Sequence, residues 1–179
     1  MAQWISEDYA DKLDEEGKEL LDLLISRVRR MHALIEGVLE YSRIGRLEEE
    51  KRAVDLNTLV SGVIDMLHPP ENIDVTVVDQ LPTIYCEKTR MEQVFQNLLS
   101  NAIWYMDKPN GQVTVGCTEE DGYWKFSVAD NGPGIEENYY EDIFHIFQTL
   151  KPRDEVESTG VGLTIAKKIV KSQGGEIGV

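Results

Sequence analysis

Residues 123 to 134 place the tightest demand on how this chain folds. Trp124, Phe126 and Val128 alternate with Lys125, Ser127 and Ala129, the period of two expected of a strand with one apolar face. That period puts Asp130 on the apolar face, where a carboxylate is costly unless a donor satisfies it. No basic residue follows closely. The chain instead enters Asn131-Gly132-Pro133-Gly134, whose glycines let the backbone turn sharply and a ligand come close. The stretch reads either as an acceptor awaiting a ligand donor or as a strand end with an ordinary Asn-Gly turn. Five residues alone favour the turn, so the surrounding motifs must decide.

Charge narrows the ligand classes. With 33 acidic against 18 basic side chains, a formal net charge of −15, neither a nucleic-acid groove nor an anionic membrane surface is an expected partner. A polyanionic ligand must be met by a metal ion and local dipoles. At 179 residues and 41% apolar composition the chain accommodates one good-sized domain plus an appendage. Cys86 and Cys117 lie in apolar runs without CxxC spacing, so packed thiols in a reducing compartment are expected rather than a disulfide or metal site. No apolar run approaches the ~18 residues of a membrane span and no secretory pattern opens the chain, so a soluble, cytoplasmic protein is expected.

Residues 1 to 16 are acidic and without period, and the run from Asp11 to Gly17 reads as a loop ending in glycine. From Lys18, the residues Leu21, Leu24, Val28, Met31, Ile35 and Val38 recur three and four apart, a helix of the kind found in bundles. Leu20, Leu34 and Leu39 broaden its face beyond a two-helix seam, so more than one partner helix is expected, from other copies or from sequence absent here. Arg43 to Lys51 is charged, has no core face and reads as a hinge. Residues 1–51 are therefore a partial bundle and 52–179 a second domain.

Within that domain Asp55 can cap a helix over Leu56 to Leu67, stopped by His68-Pro69-Pro70. Ile73, Val75 and Val77 predict a strand, and Thr83 to Cys86 another. Lys88 to Met106 is the strongest helix, with a buried face through Val94, Phe95, Leu98, Leu99, Ala102 and Ile103 and with Asn97 and Asn101 stacked four apart on its flank. Gln112–Thr118 and Tyr123–Asp130 form a hairpin about Glu119-Glu120-Asp121-Gly122. Gly160-Val161-Gly162 opens a last helix through Gln173, and Gly174 to Val179 reads as one more short strand. The fold class is α+β, a mixed sheet covered on one side by helices and preceded by a long helix.

Taken together, Asn97-Leu98-Leu99-Ser100-Asn101-Ala102, Asp130-x-Gly132-x-Gly134, Phe144-x-x-Phe147 and Gly160-Val161-Gly162-Leu163 resemble the N, first-glycine, F and second-glycine boxes of sensor histidine kinases. The helix containing Arg30-Met31, Leu34-Ile35, Val38-Leu39 and Tyr41-Ser42-Arg43 resembles the second helix of that family's dimerisation and phosphotransfer bundle. Arg153-Asp154-Glu155 is most similar to the phytochrome-like branch.

The resemblance implies an ATP site. Asp130 matches the acceptor of the adenine amino group, which would reject the guanine carbonyl. Asn101 matches the residue that holds Mg²⁺ through its amide oxygen. Tyr105, Gly132, Gly134, Ile135, Phe144 and Phe147 join the site by their places in these motifs. Thr159, Gly160, Val161, Gly162 and Leu163 would bring backbone amides and a helix start to the phosphates. Residues 148–159 would be a lid, with Lys151 and Arg153 either phosphate contacts or part of a solvated loop. Related ATPases such as gyrase and MutL carry a water-activating glutamate where this chain has Asn97. An amide is no general base, which shifts the reading from hydrolysis to phosphoryl transfer, with Asn97 and Asn101 as its catalytic residues.

Two departures qualify that implication. No acceptor histidine with a following acid is present: His32, His68 and His145 read as surface or packing imidazoles, so the chain is expected to begin after the acceptor helix and not to phosphorylate itself. Trp104 stands where the family has a basic residue, and either weakens phosphate binding or packs under a neighbouring loop. The expected activity is transfer of the γ-phosphoryl of Mg-ATP to a histidine in trans. The expected partners are an acceptor helix, a response-regulator receiver domain and a second copy through residues 18–42. The alternatives are a helix-docking interaction module without kinase activity and a hydrolytic ATPase.

Overall fold

The computed structural model describes residues 13–45, 49–149 and 159–179. The expectations for residues 1–12, Lys151 and Arg153 fall outside them. The long helix α1 spans Glu15–Arg43 and starts earlier than Lys18, because Asp14 caps it by accepting the Gly17 N–H at 2.8 Å. Gly17 is thus in the first turn, not at the end of a loop.

The broad apolar face of α1 divides in two. Leu34, Gly37 and Tyr41 turn toward Val161 and its apolar neighbours, whereas Leu24, Val28, Met31, Ile35 and Val38 are exposed, Met31 by 59% and Ile35 by 58%. The stretch after α1 was expected to have no core face, yet Ile44 is 3% exposed and packs with Val94, Val161, Ile165, Ala166 and Ile169. A single isoleucine among charges carries no periodicity, and only the surface it meets makes it core.

Strand β1, Arg52–Asp55, has no counterpart in the sequence reading, because Val54 is its one buried residue. It pairs antiparallel with β3, Thr83–Cys86, aligning Val54 with Ile84. Helix α2, Leu56–Leu67, begins where Asp55 accepts the Thr58 hydroxyl at 2.7 Å and the Asn57 N–H at 3.0 Å, bonds that hold the carboxyl below its ordinary pKa. The Asn57 side chain then acts like a strand edge, donating to the Leu81 carbonyl at 2.7 Å and accepting its N–H at 2.9 Å.

The larger sheet has the order β2-β4-β5. Strand β2, Ile73–Val77, runs parallel to β4, Gly111–Glu120, and β4 runs antiparallel to β5, Tyr123–Asp130. The hairpin turn is two residues rather than four: Asp121 and Gly122, at φ +52° and +80°, fit the twist of the strands they join.

Helix α3, Lys88–Trp104, is shared by two cores. Phe95 and Leu99 pack with Leu56, Val60, Val113 and Val115, and Phe95 meets Phe126 edge-on at 5.8 Å. Val94 and Leu98 pack instead with helix α4, Gly162–Ser172, and the end of α1. Cys86 and Cys117 are free thiols, as expected; burial, then a nearby carboxylate (Glu87 and Asp79 respectively), pushes each above its usual pKa. The strand expected over Gly174–Val179 is absent. Gly174, at φ +82°, ends α4, and the residues beyond it find no ladder partner among the described strands.

Candidate nucleotide site

Helix α3 joins the two glycine turns. At one end the Asn97 side chain reaches Gly162, where a Cβ would lie 2.9 Å from Asn97 Oδ1. The Asn97 Nδ2 is buried there without a hydrogen-bond partner, a cost that a ligand acceptor would remove. At the other end Met106 Sδ lies 3.8 Å from the place of a Cβ on Gly132. From Asn97 to its end at Trp104, α3 rises about 10 Å, the scale of an extended nucleotide. Asn101 and Tyr105, both half-buried, lie between Asn97 and Met106 in the chain.

Asp130 differs from its expectation. It lies on the same face as Phe126 and Val128 but is exposed, and its Oδ1 accepts the Gly132 N–H at 2.8 Å. The acid is therefore not an unsatisfied core carboxylate. The period-two alternation puts the residue on the right face, but burial on that face reaches only Phe126 and Val128. No other described residue donates to this carboxylate, which keeps acceptor capacity for a ligand. A Cβ on Gly132 would lie 2.7 Å from Asp130 Oδ1, so a side chain there would displace the carboxylate.

Asn131, read only as a turn former, ties the loop to the sheet. Its Oδ1 accepts the Gln112 N–H at 2.8 Å, its own N–H donates to the Gln112 carbonyl at 3.1 Å, and its Nδ2 donates to the Asn110 carbonyl at 3.2 Å. The Asn-Gly pair gave no signal of these long-range bonds. Gly134, at φ +71°, turns the chain away, and Ile135 is half-buried beyond it.

The F and second-glycine motifs meet at the base of the intervening segment. The Phe147 N–H donates to the Gly160 carbonyl at 2.9 Å. Gly160 sits at φ +64°, and a Cβ there would be 2.5 Å from the Gln148 carbonyl oxygen. Phe144 is buried with the Lys167 ammonium 4.7 Å from its ring centre, whereas Phe147 is 43% exposed. Val161 is 1% exposed and packs against Gly37 of α1; Thr159 and Leu163 are half-buried beside it. Phe144 and Val161 thus have packing roles in the protein by itself. Trp104 is 69% exposed, so it does not pack under a neighbouring loop. His32, His68 and His145 are exposed, as expected of surface imidazoles.

A mixed sheet under helices, with an asparagine-bearing helix spanning two glycine turns, defines a nucleotide-binding α+β domain. The residues suit Mg-nucleotide: an orphaned buried amide and a glycine cradle at one end, a carboxylate acceptor at the other, and the Asn101 amide, a hard-oxygen ligand type for Mg²⁺, between them.

Residues 86–179 match the family described as histidine kinase-, DNA gyrase B- and HSP90-like ATPase. The chain is 39% identical to cyanobacterial phytochrome B of Nostoc sp., over 99% of this chain and 24% of that protein. It is 31% identical to the sensor histidine kinase ZraS of Escherichia coli K12, over 92% of this chain and 35% of that protein. The crystal structure of full-length ShkA in complex with AMPPNP superposes with a TM-score of 0.73 at 26% identity, covering 99% of this chain and 38% of that one. The histidine kinase ThkA in complex with the response regulator TrrA gives 0.69 at 25% identity, covering 99% and 52%. This chain belongs to that family, as the ATP-binding domain of a sensor histidine kinase, and spans about a quarter to a third of the curated relatives just named.

Proposed function

We propose that this chain binds Mg-ATP along α3 and supplies the catalytic half of a protein-histidine kinase, transferring the γ-phosphoryl to a histidine held in trans. The observation that carries the reading is the span of α3 between Gly162, beside the unsatisfied Asn97 amide, and Gly132, beside Asp130. Asp130 would take the adenine amino group, and Asn97 and Asn101 would face the phosphate end. Gly160 and Gly162 would let backbone amides approach the phosphates. Bound Mg²⁺ would neutralise phosphate charge and align the group to be transferred. Asn97 has no basicity with which to activate water, so positioning for transfer suits it better than hydrolysis.

Residues 1–51 would then belong to the bundle and 52–179 to the catalytic domain. The exposed stripe Leu24, Val28, Met31, Ile35 and Val38 would pack on an acceptor-histidine helix and a second copy. A receiver domain is the expected downstream partner, and the cytoplasm the expected compartment; among the described residues no helix is long and apolar enough to cross a membrane. The same stripe favours a second reading, a helix-docking module without kinase activity.

Calorimetric titration of the chain and its Asp130→Asn variant with Mg-ADP and Mg-GDP tests the proposal. The Asn Oδ1 still accepts the Gly132 N–H, so the turn survives while the ligand-directed charge is lost. Mg-ADP should bind selectively and about 10- to 100-fold more weakly to the variant, the worth of about 1.5–3 kcal/mol for a charge-assisted hydrogen bond. Equal affinity in both proteins would remove Asp130 from the site. No binding to either would favour the docking module.

A further inference from the structure

We propose that Trp104 is a nucleoside-contacting residue: its indole covers the sugar and base of the nucleotide bound beside Asp130. The inference rests on the nucleotide reading above and adds to it a ligand contact made by an uncharged aromatic ring.

Four observations converge on it. Trp104 follows Asn97 and Asn101 at helical spacings of four and three, so the three side chains share one stripe of α3. The core-facing positions of that helix are Val94, Phe95, Leu99, Ala102 and Ile103, and Trp104 is not among them. The residue is 69% exposed, and a folded domain gains by covering a large aromatic side chain. The helix ends there, and Met106, two residues on, meets Gly132 next to Asp130, which puts Trp104 at the Asp130 end of α3 rather than at the Gly162 end.

The chemistry of the ring selects the same end. An indole carries no charge to offer a phosphate, but its face stacks on a purine or covers a ribose. Asp130 reads the base edge by hydrogen bonding, and Trp104 would cover the flat apolar surface that Asp130 does not touch.

The experiment uses the full chain with Trp4→Phe and Trp124→Phe, so that Trp104 is the one remaining indole of three. Fluorescence is titrated with Mg-ADP and with adenosine, and affinities are measured by calorimetry for this protein, its Trp104→Ala variant and its Trp104→Phe variant. The expected result is a saturable emission shift with both ligands, about tenfold or greater loss of affinity for both in Trp104→Ala, and retention of most affinity in Trp104→Phe. Unfolding midpoints should stay the same, because the ring supports no core. Mg-ADP binding that Trp104→Ala leaves unchanged would overturn the proposal while leaving the nucleotide reading intact. Loss for ADP but not for adenosine would move Trp104 to the phosphate end and overturn it equally. No nucleotide binding by any variant would end both readings.

Discussion

Two glycines inside helices, Gly37 in α1 and Gly62 in α2, make a matched test of whether α1 is docked against Val161 at the second glycine turn. Replacing a mid-helix glycine by alanine stabilises by about 1 kcal/mol from backbone entropy alone. At Gly62 nothing lies within 4 Å of the added Cβ, so Gly62→Ala should show that gain in full. At Gly37 the Cβ would lie 3.0, 3.2 and 3.3 Å from three atoms of Val161. Val161 is 1% exposed and wedged among Ile44, Ile165 and Ala166, so it has little room to retreat. Overpacking of this kind costs about 1–3 kcal/mol, which offsets or exceeds the propensity gain. Gly37→Ala should therefore be neutral or destabilised by up to about 2 kcal/mol, although the same change would strengthen an isolated helix. Urea denaturation followed by circular dichroism reads both variants. A gain at Gly37 equal to that at Gly62 would refute the contact, and with it the docking of α1 against the second glycine turn.

Other perturbations probe different links. Gly160→Ala forces a left-handed residue against the Gln148 carbonyl and should cost about 2 kcal/mol or more; an unfolding midpoint like that of the parent protein would mean that Phe147 and Gly160 are not pinned together. Phe95→Ala empties the centre of the larger core and removes the edge-on contact with Phe126, so denaturation should show a loss of about 3–5 kcal/mol. The Asp55 carboxyl is held below its ordinary value of 3.8 by Thr58 and then Asn57; its contribution is present above that value and is lost as the pH falls through the lowered one. Melting curves across the acid range should therefore show a shallower acid limb for Asp55→Asn than for the parent protein.

Much of the fold was legible because its signals are local. The three-and-four spacing of α3, the Asp55 cap, the Pro-Pro stop and the alternation of β2 and β5 each follow from backbone geometry acting on neighbouring residues. The order of the four motifs was legible for the same reason. The sequence therefore determined the helices and the central strands, the α+β class and which residues share a face of α3 with Asn97.

Tertiary structure decided what covers those faces. Periodicity places Asp130 on the apolar side of β5 but does not say how far along the strand that side is covered, and the carboxylate is exposed. Strand β1 exists because β3 supplies its hydrogen bonds, whereas Gly174–Val179 has no such partner and forms no strand. Asn131 and Asn57 bond to residues 19 to 24 positions away, which no local pattern encodes. The broad face of α1 looked like one surface in the sequence and is divided in space, because α4 covers only the part containing Leu34, Gly37 and Tyr41. Burial depends on distant neighbours, and it was burial that turned Ile44 into core and left Trp104 in the open.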